Sequence, residues 1–345
     1  MPSPVSVTSV PVLSDLALSG PLLSVQDLKV HFTIAGGGLF GGAPSVVKAV
    51  DGVSFDLWPG ETLGLVGESG CGKSTLGRAV LRLLPAKAGR IVWLGENLAS
   101  LTQEAMRQKR RDMQIIFQDP LASLDPRMTI GQIIAEPLRT FNPRLPAAEV
   151  KSRVQTMLAK VGLQPQHINR YPHEFSGGQC QRIGIARAMI NNPKLIVCDE
   201  PVSALDVSIQ AQIVNLLMDL QRETGMSLIF ISHNLSVVRH ISHRIMVLYL
   251  GKVAEVADRD TILRQPLHPY TQALISAVPI PDPDLEQARG HLLLKGDLPS
   301  PLNPPSGCAF RSRCPKATSI CAEVEPRLRA ASGTHHVACH HAVLP

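Results

Sequence analysis

A glycine-rich stretch early in the chain constrains its fold more than any other feature. The residues GESGCGKST, 67–75, fit the pattern G-x-x-x-x-G-K-[ST] and directly follow the apolar stretch Thr62–Val66. A strand before such a loop and a helix after it are typical of loops whose backbone N–H groups surround a phosphate chain. The helix expected to begin at Lys73 adds the positive end of its dipole. The pattern therefore predicts an α/β chain that binds a nucleoside triphosphate.

Each part of this loop has an expected role. Its glycines let the backbone turn its N–H groups inward, Lys73 reaches the outer phosphates, and the Ser74 hydroxyl ligates Mg²⁺. A chance glycine-rich turn is the alternative, but it would need neither the strand nor the apolar helix. The expected nucleotide-binding residues of the loop are Gly67, Glu68, Ser69, Gly70, Cys71, Gly72, Lys73, Ser74 and Thr75.

Two adjacent carboxylates end a second apolar stretch. Residues 194–198 are typical of a parallel strand buried on both faces, and Asp199 and Glu200 follow at once. In phosphate-loop NTPases an aspartate at such a strand end holds Mg²⁺. Glu200 is then placed to orient the attacking water. The alternative is that both are ordinary solvated loop acids.

A second glycine-bearing helix start lies at FSGGQ, residues 175–179. Ser176 with Gln179 three residues later has the spacing of a capping box. Gly177 and Gly178 allow close approach of an anion to the helix N-terminus. Taken alone, the stretch is equally well explained as a well-capped helix. One chain has little use for two anion-binding sites on the same phosphate, unless the second binds a phosphate held by a neighbouring molecule.

Length and composition predict one large unit and one small one. We expect a mobile tail over residues 1–21, a nucleotide-binding domain over 22–265 with a helical subdomain at about 119–190, and a proline-rich, loop-rich extension over 266–345. No apolar run approaches the roughly 18 residues that span a bilayer. The net charge of +6 permits a membrane surface or a protein partner, and does not predict nucleic acid binding.

Taken in order, these motifs resemble those of the ATP-binding subunits of ABC transporters. GESGCGKST resembles their Walker A loop, Gln118 their Q-loop, FSGGQ their signature and LIVCDEP their Walker B strand with its catalytic glutamate. SALD, which ends at Asp206, resembles the D-loop, and His233 the switch histidine. The match spans about residues 22–260, with Asn234 where many relatives have aspartate. The resemblance implies an α/β fold of the phosphate-loop ATPase class, with a parallel-sheet core, an antiparallel β subdomain and a helical subdomain.

The resemblance also implies that the site is shared between two chains. Two ATP-binding domains would pair head to tail, so that residues 176–178 of one clasp the γ-phosphate held by the other. Ser74, Gln118 and Asp199 would surround Mg²⁺, Glu200 would position water, and His233 would contact the γ-phosphate. Phe32 falls where the family places an aromatic ring that stacks on adenine; a core aromatic on the first strand is the alternative.

The tail narrows the resemblance further. HPYT at 268–271, PSGC at 305–308 and RCP at 313–315 resemble the extension of dipeptide and oligopeptide importer ATPases, closest to the F-type subunit. This implies ATP-driven peptide uptake at the cytoplasmic face of the inner membrane. The implied partners are a sister ATP-binding subunit, two membrane permease subunits and a separate extracytoplasmic solute-binding protein. The alternatives are a soluble ABC-type ATPase outside transport and an iron–sulfur sensor with regulatory ATP binding.

Four of the seven cysteines lie in the last 38 residues, spaced C-x5-C-x6-C-x17-C. Structural zinc usually uses a tight C-x2–4-C pair, whereas wider loops suit a [4Fe–4S] cluster. Relatives in this subfamily carry such a cluster, and the resemblance therefore implies one here. A zinc ion or unligated thiols are the alternatives, and the four nearby histidines are explained more simply by a flexible, solvated tail. The expected cluster ligands are Cys308, Cys314, Cys321 and Cys339.

Overall fold

The computed structural model describes residues 20–34, 45–278, 294 and 296–343. Nearly all of the tail expected over residues 1–21 lies outside these ranges. The strands are β1 (Leu23–Ile34), β2 (Ser45–Leu57), β3 (Thr62–Val66), β4 (Ala88–Trp93), β5 (Glu96–Asn97), β6 (Met113–Ile116), β7 (Leu195–Asp199), β8 (Ser227–Ile231), β9 (Arg244–Tyr249), β10 (Lys252–Asp258), β11 (Arg329–Ser332) and β12 (His335–Val337). The helices are α1 (Lys73–Val80), α2 (Gln103–Lys109), α3 (Ile130–Phe141), α4 (Ala147–Lys160), α5 (Gly177–Met189), α6 (Val207–Thr224), α7 (Leu235–Ile241), α8 (Arg259–Arg264), α9 (Pro269–Ser276) and α10 (Ser319–Glu323).

A mixed sheet of eight strands forms the centre of the fold, in the order β11-β12-β10-β9-β3-β8-β7-β6. Strands β9, β3, β8, β7 and β6 run parallel, and the pairs of β10 with β9 and with β12 are antiparallel. The parallel part is built from short apolar strands, and β3, β7 and β8 are buried along their whole length. This confirms the predicted α/β class with a parallel core.

Side chains of the parallel strands alternate between two cores, one on each face of the sheet. In β7, Ile196 and Cys198 belong to one core, whereas Leu195 and Val197 belong to the other. This alternation follows from the two-residue period of a strand. One core includes residues of α3, α4, α5 and α6, and the other includes residues of α1 and of the antiparallel sheet β2-β1-β4-β5.

Helices α3, α4 and α5, which lie between β6 and β7 along the chain, pack on one another. Their starts are encoded locally. Thr129 caps α3 in a capping box with Gln132, and Ser176 caps α5 in a capping box with Gln179. All three helices lie within residues 119–190.

The C-terminal extension packs back onto the ATP-binding part. Strands β11 and β12 lengthen the central sheet beyond β10. The rings of Tyr249, Tyr270 and Phe310 pack in one cluster, with centroids 4.8 to 5.4 Å apart, and Phe310 is only 2% exposed. Proline-rich composition did not indicate this sheet edge, because strands of three and four residues leave almost no periodicity.

The solvated-tail interpretation of the C-terminal histidines is wrong for His335. This residue is 3% exposed, and its Nε2 atom lies 2.7 Å from a carboxylate oxygen of Glu255, which is fully buried. Glu255 also accepts hydrogen bonds from the backbone N–H groups of Leu267 and His268. These contacts fasten both the start and the end of the extension to β10. Within the described residues, no helix combines the length and the apolar character needed to cross a membrane.

Candidate nucleotide site

The loops that follow four neighbouring strands meet at one edge of the central sheet. Strands β3, β8, β7 and β6 are parallel neighbours, so that their carboxyl ends lie side by side. The glycine-rich loop follows β3, Glu200 follows β7, His233 follows β8 and Gln118 follows β6. Ligands of open α/β sheets bind at this edge. The cleft found there is lined by Ala49, Ser69, Gly70, Gly72, Lys73, Ser74, Thr75, Gln118, Glu200 and His233.

The backbone of the glycine-rich loop needs glycine for two separate reasons. Gly72 has a φ of 104°, which L side chains rarely adopt. A Cβ atom there would also lie 2.0 Å from the carbonyl oxygen of Ala49. At Gly67, a Cβ atom would lie 2.3 Å from the carbonyl oxygen of Leu248. The loop is therefore pressed against the neighbouring backbone, and its shape is fixed from both sides.

Lys73 lies inside the loop and is 4% exposed. Its ammonium group donates to the carbonyl oxygens of Gly67 at 2.7 Å and Glu68 at 3.0 Å. Burial raises the pKa of the neighbouring Cys71 thiol, so this cysteine stays protonated and acts as a packing residue. Burial, followed by the Asp199 charge, likewise raises the pKa of Cys198 well above the usual range.

The expected magnesium ligands Ser74 and Asp199 meet directly. The Ser74 hydroxyl donates to Asp199 at 2.5 Å, and the Arg78 guanidinium donates to the other carboxylate oxygen at 3.1 Å. Asp199 is 1% exposed, so its charge needs these partners. A hydroxyl and a carboxylate are the hard oxygen donors that Mg²⁺ prefers. The pair therefore fits a magnesium ion bound together with phosphate oxygens.

Gln118, which was also expected beside Mg²⁺, instead contacts the expected catalytic residue Glu200, as His233 does. The side-chain amide of Gln118 donates to Oε2 of Glu200 at 3.3 Å, and Nδ1 of His233 lies 3.2 Å from the same oxygen. Glu200 has a φ of 49°, a left-handed conformation that is uncommon outside glycine and clusters at functional sites. Its N–H donates to the carbonyl of Ile231 at 3.1 Å, which holds this conformation between β7 and β8.

The remaining expected ATP contacts lie elsewhere. Ser176, Gly177, Gly178 and Gln179 begin α5, and no part of this stretch lines the cleft among the residues the structure describes. Asp206, at the start of α6, is exposed and does not line it either. Phe32 is 38% exposed near the end of β1, which argues against the core alternative; adenine stacking by this ring stays a prediction.

Three residues near the site were missed by sequence reasoning. Arg78 had a usable signal, since Ser74 and Arg78 are four residues apart on one face of α1. Tyr270 and Arg313 had none. Both contact Glu68 of the glycine-rich loop, from 202 and 245 residues away along the chain.

The four cysteines of the extension are near one another, although they do not converge on a point. Burial, and then the charges of Cys321, Cys314 and Cys339, raises the pKa of Cys308 to about 11. The Nε2 atom of His341 lies 3.5 Å from the Cys321 sulfur, another contact that the sequence did not indicate. In the part of the chain described, no group of three or more histidine, cysteine or acidic residues is placed to hold a single metal ion.

Comparison with known protein families agrees with this geometry. Residues 50–203 match the family model described as ABC transporter, and residues 254–321 match that of the oligopeptide/dipeptide transporter C-terminal region. The solved structures of similar fold include cbiO1 from Clostridium perfringens, part of the ABC transporter complex cbiONQ, with 25% identity, a TM-score of 0.61, and coverage of 71% of this chain and 92% of that one. Another is dimeric MJ0796, a bacterial ABC transporter cassette, with 27% identity, a TM-score of 0.62, and coverage of 69% and 98%.

The curated relatives are much more similar and extend through the extension. The chain is 61% identical over 319 residues to the oligopeptide transport ATP-binding protein OppF of Salmonella typhimurium, covering 92% of this chain and 95% of that protein. It is 54% identical over 320 residues to YkfD of Bacillus subtilis, a putative oligopeptide transport ATP-binding protein, covering 93% and 95%. With the phosphate loop, the paired carboxylates and the matching extension in one chain, this protein belongs to the ATP-binding subunits of ABC transporters.

Proposed function

We propose that this chain is the ATP-hydrolysing subunit of an importer of the dipeptide and oligopeptide class. The observation that carries the proposal is the meeting of Ser74 with Asp199, and of Gln118 and His233 with Glu200, at one cleft. These are the groups needed to hold Mg²⁺ on a triphosphate and to direct water at its last phosphate. The peptide class rests on the similarity to oligopeptide transport ATP-binding proteins and on the matched C-terminal region.

Within the site, each side chain has a distinct task. Lys73 and the loop N–H groups hold the phosphates, and Ser74 with Asp199 holds the ion, which neutralises charge that develops on the transferred group. Glu200 orients the attacking water, while Gln118 and His233 fix the direction of its carboxylate through hydrogen bonds to Oε2. No described residue of the stretch 176–179 lines the cleft, so the γ-phosphate side stays open to a second domain.

That open side supports pairing with another ATP-binding domain. We expect residues 176–179 and Asp206 of each domain to complete the cleft of the other, so that ATP closes the pair and hydrolysis releases it. The expected assembly contains a sister ATP-binding subunit, two membrane permease subunits and a separate extracytoplasmic solute-binding protein, with this chain at the cytoplasmic face of the inner membrane. Native mass measurement of the assembled complex distinguishes one copy of this chain from two.

Glu200→Gln tests the catalytic assignment in the assembled importer. We expect ATP binding to persist and hydrolysis to fall by about 100- to 1000-fold, because the variant loses the carboxylate that orients water. Glu223→Gln is the matched control, since Glu223 is an exposed glutamate of α6 that pairs with Lys160 away from the cleft. Near-normal hydrolysis by Glu200→Gln refutes the catalytic role. Peptide uptake in proteoliposomes that does not respond to ATP refutes the transport role.

We further propose a [4Fe–4S] cluster on Cys308, Cys314, Cys321 and Cys339. Support comes from the backbone contact between two of these cysteines, in which the Cys308 N–H donates to the Cys321 carbonyl at 2.8 Å. The other three thiols also help to raise the pKa of Cys308, after burial. A single zinc ion needs all its ligands about 2.3 Å from one point, and the described residues contain no such group. A four-iron cluster binds each thiolate through a different iron and so accepts wider spacing. When bound, such a cluster would cross-link the loops of the extension.

Metal and sulfide analysis of anaerobically purified protein tests the cluster. We expect about four irons per chain and broad absorbance near roughly 400 nm, both lost in Cys339→Ser. Cys180→Ala is the control, because Cys180 is buried in the helical core far from the extension in sequence. Stoichiometric zinc without iron, or metal-free protein, overturns this assignment without affecting the ATPase assignment.

A further inference from the structure

Glu68, the second residue of the glycine-rich loop, is held from outside the loop by two contacts. Its carboxylate accepts two hydrogen bonds from the Arg313 guanidinium, at 2.6 and 2.9 Å. Its backbone N–H donates to the hydroxyl of Tyr270 at 2.9 Å. That N–H therefore points away from the cleft, although the residue belongs to the phosphate-binding motif. Both partners come from the C-terminal extension.

The two partners are themselves firmly seated. Tyr270 is fully buried, and its ring packs against Phe310 with centroids 5.4 Å apart. The Arg313 side chain is only 8% exposed, and the Arg313 N–H donates to the carbonyl of Phe310 at 3.0 Å. A bidentate arginine–carboxylate pair fixes both distance and orientation. The arginine is the shielded partner, because the Glu68 side chain is 29% exposed. Tyr270 and Arg313 of the extension thus hold Glu68 of the loop rigidly in place.

Glu68 also contacts the phosphate-binding lysine, so the residue that Tyr270 and Arg313 hold is in turn bonded to Lys73. The carbonyl oxygen of Glu68 accepts a hydrogen bond from Lys73 at 3.0 Å, so that one residue contacts Tyr270, Arg313 and Lys73 through its three polar groups. A shift of Glu68 would move the carbonyl that aims the ammonium group. It would also move the adjoining Gly67, which is already in close contact with the backbone at Leu248.

We propose that Arg313 and Tyr270 are positioning residues for nucleotide binding, which act through Glu68 to set the shape of the phosphate-binding loop. Neither residue lines the cleft itself. The C-terminal extension then contributes to nucleotide binding, because it positions the loop that binds the phosphates. This inference rests on the ATP-binding assignment and is independent of whether the cysteines hold a cluster.

Nucleotide titration of the full-length chain with a fluorescent ATP analogue tests the proposal. We expect Arg313→Gln to weaken binding by about tenfold, since it removes two charge-assisted hydrogen bonds and leaves a carboxylate beside the triphosphate site. Arg313→Lys keeps the charge without the bidentate geometry and should restore part of the affinity. Tyr270→Phe, which removes only the acceptor for the Glu68 N–H, should weaken binding by a few-fold.

The matched control is Arg311→Gln. Arg311 lies in the same loop, but its side chain donates to the carbonyl of Ser306 within the extension at 2.9 Å. Among the described residues it forms no hydrogen bond or ion pair with Glu68. A double-variant cycle with Glu68→Gln gives the decisive readout, because the effect of Arg313→Gln should nearly vanish once the carboxylate is gone. Wild-type affinity in Arg313→Gln, accompanied only by a lower melting temperature like that of Arg311→Gln, overturns the proposal. So does an undiminished effect of Arg313→Gln in the Glu68→Gln background.

Discussion

His268 makes the stability of the protein depend on pH in a way that can be calculated. The side chain is 3% exposed at the N-cap of α9, where Nδ1 accepts a hydrogen bond from the Tyr270 N–H at 3.0 Å. Burial lowers its pKa from 6.5 to about 4. The folded chain therefore keeps this imidazole neutral at pH values at which the unfolded chain protonates it.

The sign and size of the effect follow from proton linkage. Because the pKa is lower in the folded state, full stability is present above about pH 6.5 and is lost as the pH falls toward 4. A difference of about 2.5 between the two pKa values corresponds to about 3 kcal/mol in total, of which about 2 kcal/mol disappears between pH 8 and pH 5. Protonation would also remove the acceptor that caps α9.

His268→Asn isolates this contribution. Asparagine supplies a side-chain acceptor for the cap but does not titrate in this range, so the variant should lose about 2 kcal/mol less than the wild type on going from pH 8 to pH 5. Urea unfolding followed by circular dichroism at several pH values measures this slope. The changed packing is expected to add a constant difference between the free energies of unfolding of the two proteins at all pH values. Parallel pH dependences of the two proteins would refute the reasoning.

Four further substitutions test packing and backbone geometry. Gly72→Ala should reduce nucleotide affinity by at least about 100-fold, because its Cβ atom would collide with the Ala49 carbonyl. Gly70→Ala also places a side chain at a left-handed φ of 78°, but its Cβ atom would meet nothing within 4 Å, so it should cost less in the same titration. Gly184→Ala should stabilise the protein by about 0.5 to 1 kcal/mol, since this glycine lies inside α5 with open space at its Cβ position; thermal unfolding measures the gain, and a loss would contradict the packing. Phe310→Ala should lower the free energy of unfolding by about 3 to 5 kcal/mol through loss of a buried ring, and an unchanged urea midpoint would disprove that the extension shares the main core.

The local features of this fold could be predicted from sequence because each depends on neighbours along the chain. The capping box of Ser176 with Gln179 spans three residues, and the buried strand β8 is one uninterrupted apolar run. The glycine-rich loop carries its own backbone requirements. This loop follows β3 and the carboxylates follow β7. Because the two strands are parallel and end at the same edge of the sheet, the loop and the carboxylates meet there.

The amino-acid sequence by itself determined the α/β class, the phosphate-binding loop and the place of Asp199 and Glu200 at a strand end, since these are set by short-range patterns and by strand direction. Gln118 and His233 were predicted only through the resemblance of the motifs to a known family. Only the tertiary structure decided that Glu68 faces Arg313, that β11 and β12 extend the central sheet, and that His335 is buried against Glu255. Each of these contacts joins residues far apart in the chain. Periodicity and capping patterns do not predict such contacts, because which residues pair depends on how whole helices and strands pack and not on neighbours along the chain.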